Sequence, residues 1–219
     1  MAKMRHQHTN STAGAPDGKS GFNAPSIITL SWCVFSSSIQ LRIPSNKRQR
    51  MTSPMYSTSV PVFQQMLGSL QVILQKAQAH AAEKKVEDQV YLQARLAPDM
   101  FNLIRQVQIA ADFAKGISAR LAGIDVPEYQ DTETTFEDLQ ARLSKTLEFI
   151  NRLNAAQFEG SENREIVLRP GTPKEKKLSG TAYLLGYGLP QFFFHVTTTY
   201  AILRHHGVEL GKRDYMGAY

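Results

Sequence analysis

"LPQFFFHVTTTYAILRHHG", residues 189–207, decides the fold. Phe192, His195, Thr199, Ile202 and His206 recur at steps of three, four, three and four, the spacing that lines side chains along one face of an α-helix. Pro190 suits a first helical turn, where its missing N–H leaves no bond unmade, and Gly207 supplies a stop. The run is therefore expected to be a helix whose inward face carries His195. His205 and His206 stand at its C-terminal end, where the helix dipole favours an imidazolium.

Working back from this helix, "REIVLRPGTPKEKKL" at residues 164–178 breaks the helical period. Ile166 to Leu168 read as a short β-like run before a Pro-Gly-Thr-Pro turn, so a small hairpin is expected, with Lys174 to Lys177 as its solvated tip. Three more helices precede it. The first covers about 60–83: Ser57, Thr58 and Ser59 offer N-cap oxygens, and Phe63, Met66, Leu67, Leu70, Ile73, Leu74 and Ala77 form one stripe. The second begins near Pro98 and Asp99, carries Phe101, Ile104, Val107, Ala111, Ala114, Ile117 and Leu121, and stops at Gly123. The third has capping-box spacing at Thr134 and Glu137, followed by Phe136, Leu139, Leu143, Leu147, Ile150 and Leu153. The expected fold is all-α, a four-helix bundle with a long crossover, holding the small β-hairpin, between its third and fourth helices.

Composition limits what such a bundle would do. A chain of 219 residues with 42% hydrophobic content can bury one sizeable core. Its net charge of +6 lies almost wholly in residues 1–50, which hold seven basic residues against Asp17 alone. The rest carries 18 basic and 18 acidic residues, so a nucleic-acid partner is not expected. Residues 1–54 read as a disordered basic extension and residues 55–219 as the domain, with Met51 and Met55 as alternative starts. "IITLSWCVF", at 27–35, is too short to span a bilayer, for which about 20 residues are needed. No membrane partner is expected. The single cysteine, Cys33, fits a reducing compartment, and the expected location is cytoplasmic, or mitochondrial if the extension acts as a transit peptide.

The candidate site follows from His195. On the second helix Gln108 and Asp112 stand one turn apart at the margin of the apolar stripe, with Gln106 further round. If that margin faces the fourth helix, His195, Thr199, Asp112 and Gln108 converge on one pocket, with His195 as ligand or general base and Asp112 orienting it. Three readings stay open: a divalent metal at His195, a polar pocket for a small molecule, or a histidine that merely satisfies its own hydrogen bonds. A zinc site wants about three protein ligands. The second position of a His-x-x-x-His pair is here Thr199. In the C-terminal stretch, Arg204, Lys212, Arg213 and Asp214 either clamp an anion or dock the tail, and docking is the expectation. No Gly-rich phosphate loop, nucleophile elbow or internal repeat is present.

"APDMFNLIRQVQIAADFAKGISARLAG" and "LPQFFFHVTTTYAILRHHGVELGKRDYMG" resemble a domain-of-unknown-function family, number nineteen-ninety-three, of the DinB/YfiT-like metalloenzyme superfamily, over about Met55 to Tyr219. The resemblance implies a four-helix bundle that is often a homodimer. It also implies a divalent metal held by a histidine on the second helix and a His-x-x-x-His pair on the fourth, and in some members thiol-dependent transfer or hydrolysis. Of that three-histidine set this chain matches His195 alone. Two classes of function follow: a small-molecule binder or divergent metal-dependent transferase, and a noncatalytic dimeric interaction protein whose polar core residues are structural.

Overall fold

The computed structural model describes residues 53–218, so the expected disordered extension lies, but for its last two residues, outside the described residues. The chain opens with a single turn, α1 (Pro54–Ser57), and then α2 (Val60–Lys84). The hydroxyls of Ser57, Thr58 and Ser59 do not cap α2; they donate back to the carbonyls of Pro54 and Met55. All seven residues of the stripe expected on this helix are buried. A short helix that periodicity did not indicate, α3 (Asp88–Leu92), buries Tyr91 and Leu92.

The second long helix, α4 (Leu103–Ala122), starts later than Pro98 and Asp99 suggested. Asn102 is its N-cap, accepting from the Arg105 amide at 3.1 Å, which leaves Phe101 outside the helix and 56% exposed. Gly123 ends it at φ 72°, a left-handed conformation glycine adopts without strain. In α5 (Phe136–Asn151) the capping box falls one residue beyond the expected one: the Asp138 carboxylate accepts from the Thr134 and Thr135 amides while Thr135 Oγ1 accepts from Asp138. These bonds hold the Asp138 carboxyl below the usual carboxylate range.

After a 3₁₀ turn (Ala155–Phe158) comes the hairpin, β1 (Glu165–Leu168) paired antiparallel with β2 (Lys176–Ser179) so that Ile166 faces Leu178. The chain then runs through α6 (Gly180–Tyr183) and one π-helical turn (Leu184–Gly188) into α7 (Leu189–His205), and ends in α8 (Lys212–Met216). Gly180 is fixed by packing. A Cβ there would lie 1.8 Å from the Ser161 carbonyl oxygen, and no side-chain rotation relieves a backbone clash. Gly180→Ala is expected to lower stability by on the order of 2 kcal/mol, read from urea denaturation; an unchanged midpoint would contradict this packing.

Each of the four long helices packs on two neighbours in the ring α2, α5, α4, α7, and the buried faces meet in one apolar cluster that includes Phe63, Leu70, Ile117, Phe136, Leu143, Phe192 and Ile202. The fold is thus mostly helical with a small two-stranded sheet, the hairpin standing beside α6 and reaching the core through Ile166. No helix among the described residues is long and apolar enough to cross a membrane.

Candidate functional site

His195 lies on the face of α7 that packs on α4 and is 6% exposed. Its partner there is Gln106, whose Oε1 stands 2.7 Å from His195 Nδ1. The Gln106 side-chain N–H₂ donates to the Phe101 carbonyl at 3.1 Å, so its oxygen must face the imidazole. This bonding assigns the proton to Nδ1 and leaves the lone pair on Nε2. Phe113 stacks on the ring at 5.9 Å and Phe194 meets it edge-on at 5.3 Å. Burial, and after it the positive charge of Arg105, push the His195 pKa down to about 4. At neutral pH the ring is uncharged, able to accept a hydrogen bond at Nε2 but weak as a base.

The other expected site residues are engaged elsewhere. Thr199 Oγ1 donates to the His195 carbonyl of its own helix at 2.9 Å. Gln108 and Asp112 do not reach His195, because they share an adjacent stripe of α4 with Arg105 and Lys115, at steps of three and four, directed at α5 and the segment 124–134. Gln108 bridges Arg105 at 3.1 Å and Glu133 at 2.8 Å. Asp112 meets Arg142 at 2.9 Å and Lys115 at 3.0 Å. Arg142, with its side chain only 1% exposed, also contacts Asp131 at 3.0 Å, Glu133 at 2.9 Å and the Gln130 carbonyl at 3.2 Å. Lys115 and Lys145 lie over the Tyr129 ring at 3.9 and 4.2 Å. Four cations, Arg105, Lys115, Arg142 and Lys145, thereby tie the segment 124–134 to two helices, Arg105 through an ion pair with Asp131. Burial works against the Arg142 charge, but the carboxylates outweigh it and raise its pKa.

Of the four C-terminal residues singled out, Asp214 makes the one ion pair among the described residues. Asp214 meets Lys76 of α2 at 2.7 Å, which with the Gly211 amide holds its carboxyl below the usual range. Gln65 donates to the Met216 carbonyl at 2.7 Å, and the Thr197 and Tyr215 hydroxyls are 3.0 Å apart. Arg204 donates to the Val208 carbonyl, while Lys212 and Arg213 are exposed and make no ion pair among the described residues.

Phe113, the ring stacked on this histidine, also lines a cavity of about 720 Å³ that opens between α4, the hairpin and the π-helical turn. Phe113, Tyr183 and Tyr187 form its aromatic wall: Tyr187 meets Phe113 edge-on at 5.9 Å and stacks on Tyr183 at 6.0 Å. The π-turn displaces Tyr187 from an ordinary helical register and packs directly on α4, where a Cβ on Gly188 would come within 2.6 Å of Ile117. Arg120 completes the wall, its guanidinium donating to the Tyr183 hydroxyl at 3.2 Å. It occupies the space a Cβ at residue 116 would take, 2.6 Å away, so Gly116 makes room for it. Of these residues the sequence marked only Asp112, which also lines the cavity. The spacing of Gly116 and Arg120, one turn apart, and the glycines in "LLGYGLP" were the available signals.

The donor set does not fit a divalent cation. His195 Nε2 is one donor, the Thr199 hydroxyl is directed at its own helix, and Asp112 is held between two cations. Among the described residues no three or more His, Cys, Asp or Glu side chains come together to hold a metal ion.

The model of a family described as Domain of unknown function (DUF1993) matches residues 55–216. Among solved structures, a DinB family member protein from Shewanella denitrificans is 42% identical, with a TM-score of 0.72, the match covering 75% of this chain and 93% of that one. A search of the curated proteins finds no match. The chain therefore belongs to the DUF1993 family, on a helical fold like that of a DinB family member.

Proposed function

We propose that the chain is a DinB-like four-helix bundle that binds a small molecule in the cavity between α4, the hairpin and the π-helical turn. The observation that carries this reading is the aromatic wall of Phe113, Tyr183 and Tyr187 around about 720 Å³, a volume within the range of ligand sites. His195 belongs to the wall's support: stacked behind Phe113 and tied to Gln106, it fixes the ring that the ligand would touch. In this reading the divergent metal-dependent transferase gives way to a binder, since one imidazole does not make a metal centre.

The test is thermal stability in the presence of a library of aromatic small molecules. A ligand at about 100 times its Kd adds about 2.7 kcal/mol, and hits should raise Tm in the wild type and not in Tyr187→Ala. Hits that survive Tyr187→Ala, or a library with none, would overturn the reading.

A second reading, the noncatalytic homodimer, is favoured by two exposed phenylalanines. Phe101 and Phe194, 56% and 54% exposed, flank the same Gln106–His195 pair, through the Phe101 carbonyl and the Phe194 ring. A dimer mass by light scattering that becomes a monomer mass in Phe194→Ser supports it; a monomer at all concentrations removes it.

A further inference from the structure

We infer that the cavity takes an organic anion: a carboxylate or phosphate head bound by Arg120, with a planar apolar body against the partly exposed Phe113 and Tyr187. This rests on the reading of the cavity as a ligand site. The charge lining the cavity is lopsided although the domain as a whole is balanced. Arg120, Arg169, Lys174 and Lys176 face Asp112 and Glu175. Asp112 is already neutralised by Arg142 and Lys115, and Glu175 accepts the Gly171 amide within the hairpin turn at 2.8 Å. None of the four cations has a carboxylate partner among the described residues, whereas Lys177, the next residue along β2, pairs with Glu165 at 3.5 Å on the other side of the strand.

Arg120 is held and not merely solvated. Gly116 admits its guanidinium against the helix and the Tyr183 hydroxyl orients it, so a planar fork of donors stands ready for a carboxylate or phosphate at little ordering cost. Arg169 adds a second observation. It is one of two non-glycine residues among those described with positive φ, at 51°, a strained conformation at the mouth of the cavity. Strain held beside a pocket, an oriented arginine and unpaired lysines on the covering hairpin describe a site for negative charge.

Two fluorescent probes of one shape separate charge from shape: anionic 8-anilinonaphthalene-1-sulfonate and neutral N-phenyl-1-naphthylamine. Arg120→Gln is expected to weaken the anionic probe at least about tenfold, the loss of a charge-assisted hydrogen bond, and to leave the neutral one within about twofold. Lys174→Gln, on the exposed hairpin tip, should act in the same direction more weakly and guards against a fold defect in Arg120→Gln. Phenyl phosphate and benzoate then compete with the anionic probe, and the stronger competitor names the head group. Equal binding of both probes, indifferent to Arg120, overturns the anion while leaving the ligand cavity standing; competition by neither compound does the same. Binding of neither probe to the wild type overturns both, as does binding lost in Phe194→Ser and kept in Tyr187→Ala, which moves the probes to the exposed phenylalanines.

Discussion

Arg142→Met is expected to destabilise the protein by on the order of 3 kcal/mol, a fall in Tm of about 10 °C. The side chain is 1% exposed and touches Asp112, Asp131, Glu133 and the Gln130 carbonyl together. Removing it leaves partly buried carboxylates facing one another, with Lys115 and Arg105 too few to neutralise all three. Arg142→Lys keeps the charge without the fork and should lie between. The measurement is chemical denaturation joined to hydrogen exchange, which should speed up in the segment 124–134 before the helices are affected. Unchanged stability in the methionine variant would mean that this network specifies geometry without stabilising it.

The second large effect is a pH dependence rooted in His195. Its pKa falls from the ordinary histidine value of 6.5 when unfolded to about 4 in the fold, chiefly through burial. Between those values the unfolded chain binds the extra proton and the folded chain does not, so stability is full above pH 6.5 and is lost as pH falls toward 4. From pH 7 to pH 5 this one group removes about 2 kcal/mol. His195→Gln carries no such proton, and its stability should be flatter over that window. Asp138 and Asp214 titrate lower, their carboxyls held below the ordinary range, and do not contribute there. Ring ¹⁵N spectra of the wild type should show Nδ1 protonated and Nε2 bare, as the Gln106 bond requires. Equal pH slopes in wild type and His195→Gln would contradict the burial of a neutral imidazole.

Helical periodicity made the long helices legible, because a stripe of seven buried residues on α2 and the Phe192-to-Ile202 face of α7 each repeat at 3.6. The hairpin was legible from its Pro-Gly-Thr-Pro turn, whereas of the four charged residues singled out in the tail only Asp214 makes an ion pair among the described residues. The site was half legible, and α4 shows why. Gln106 and Gln108 flank Val107, each about 100° away on opposite sides of the apolar stripe. Which flank meets α7 depends on the direction in which the helices turn around the core, and one-dimensional spacing carries no such hand. The structure puts Gln106 and Phe113 toward α7, and gives Gln108 to the segment 124–134 and Asp112 to α5. The π-helical turn was illegible for a similar reason. One widened turn breaks the 3.6 period and, with two glycines inside it, leaves no stripe to follow. Tyr183, Tyr187 and Arg120 therefore stood apart in sequence with nothing to join them.

The most direct test of the ligand cavity is amide chemical-shift mapping of the isotope-labelled protein titrated with small aromatic acids. The account predicts saturable shifts grouped at Phe113, Arg120, Leu168, Tyr183 and Tyr187, on four elements that share one wall. Shifts confined to Phe101 and Phe194, or none at millimolar concentrations, would contradict it.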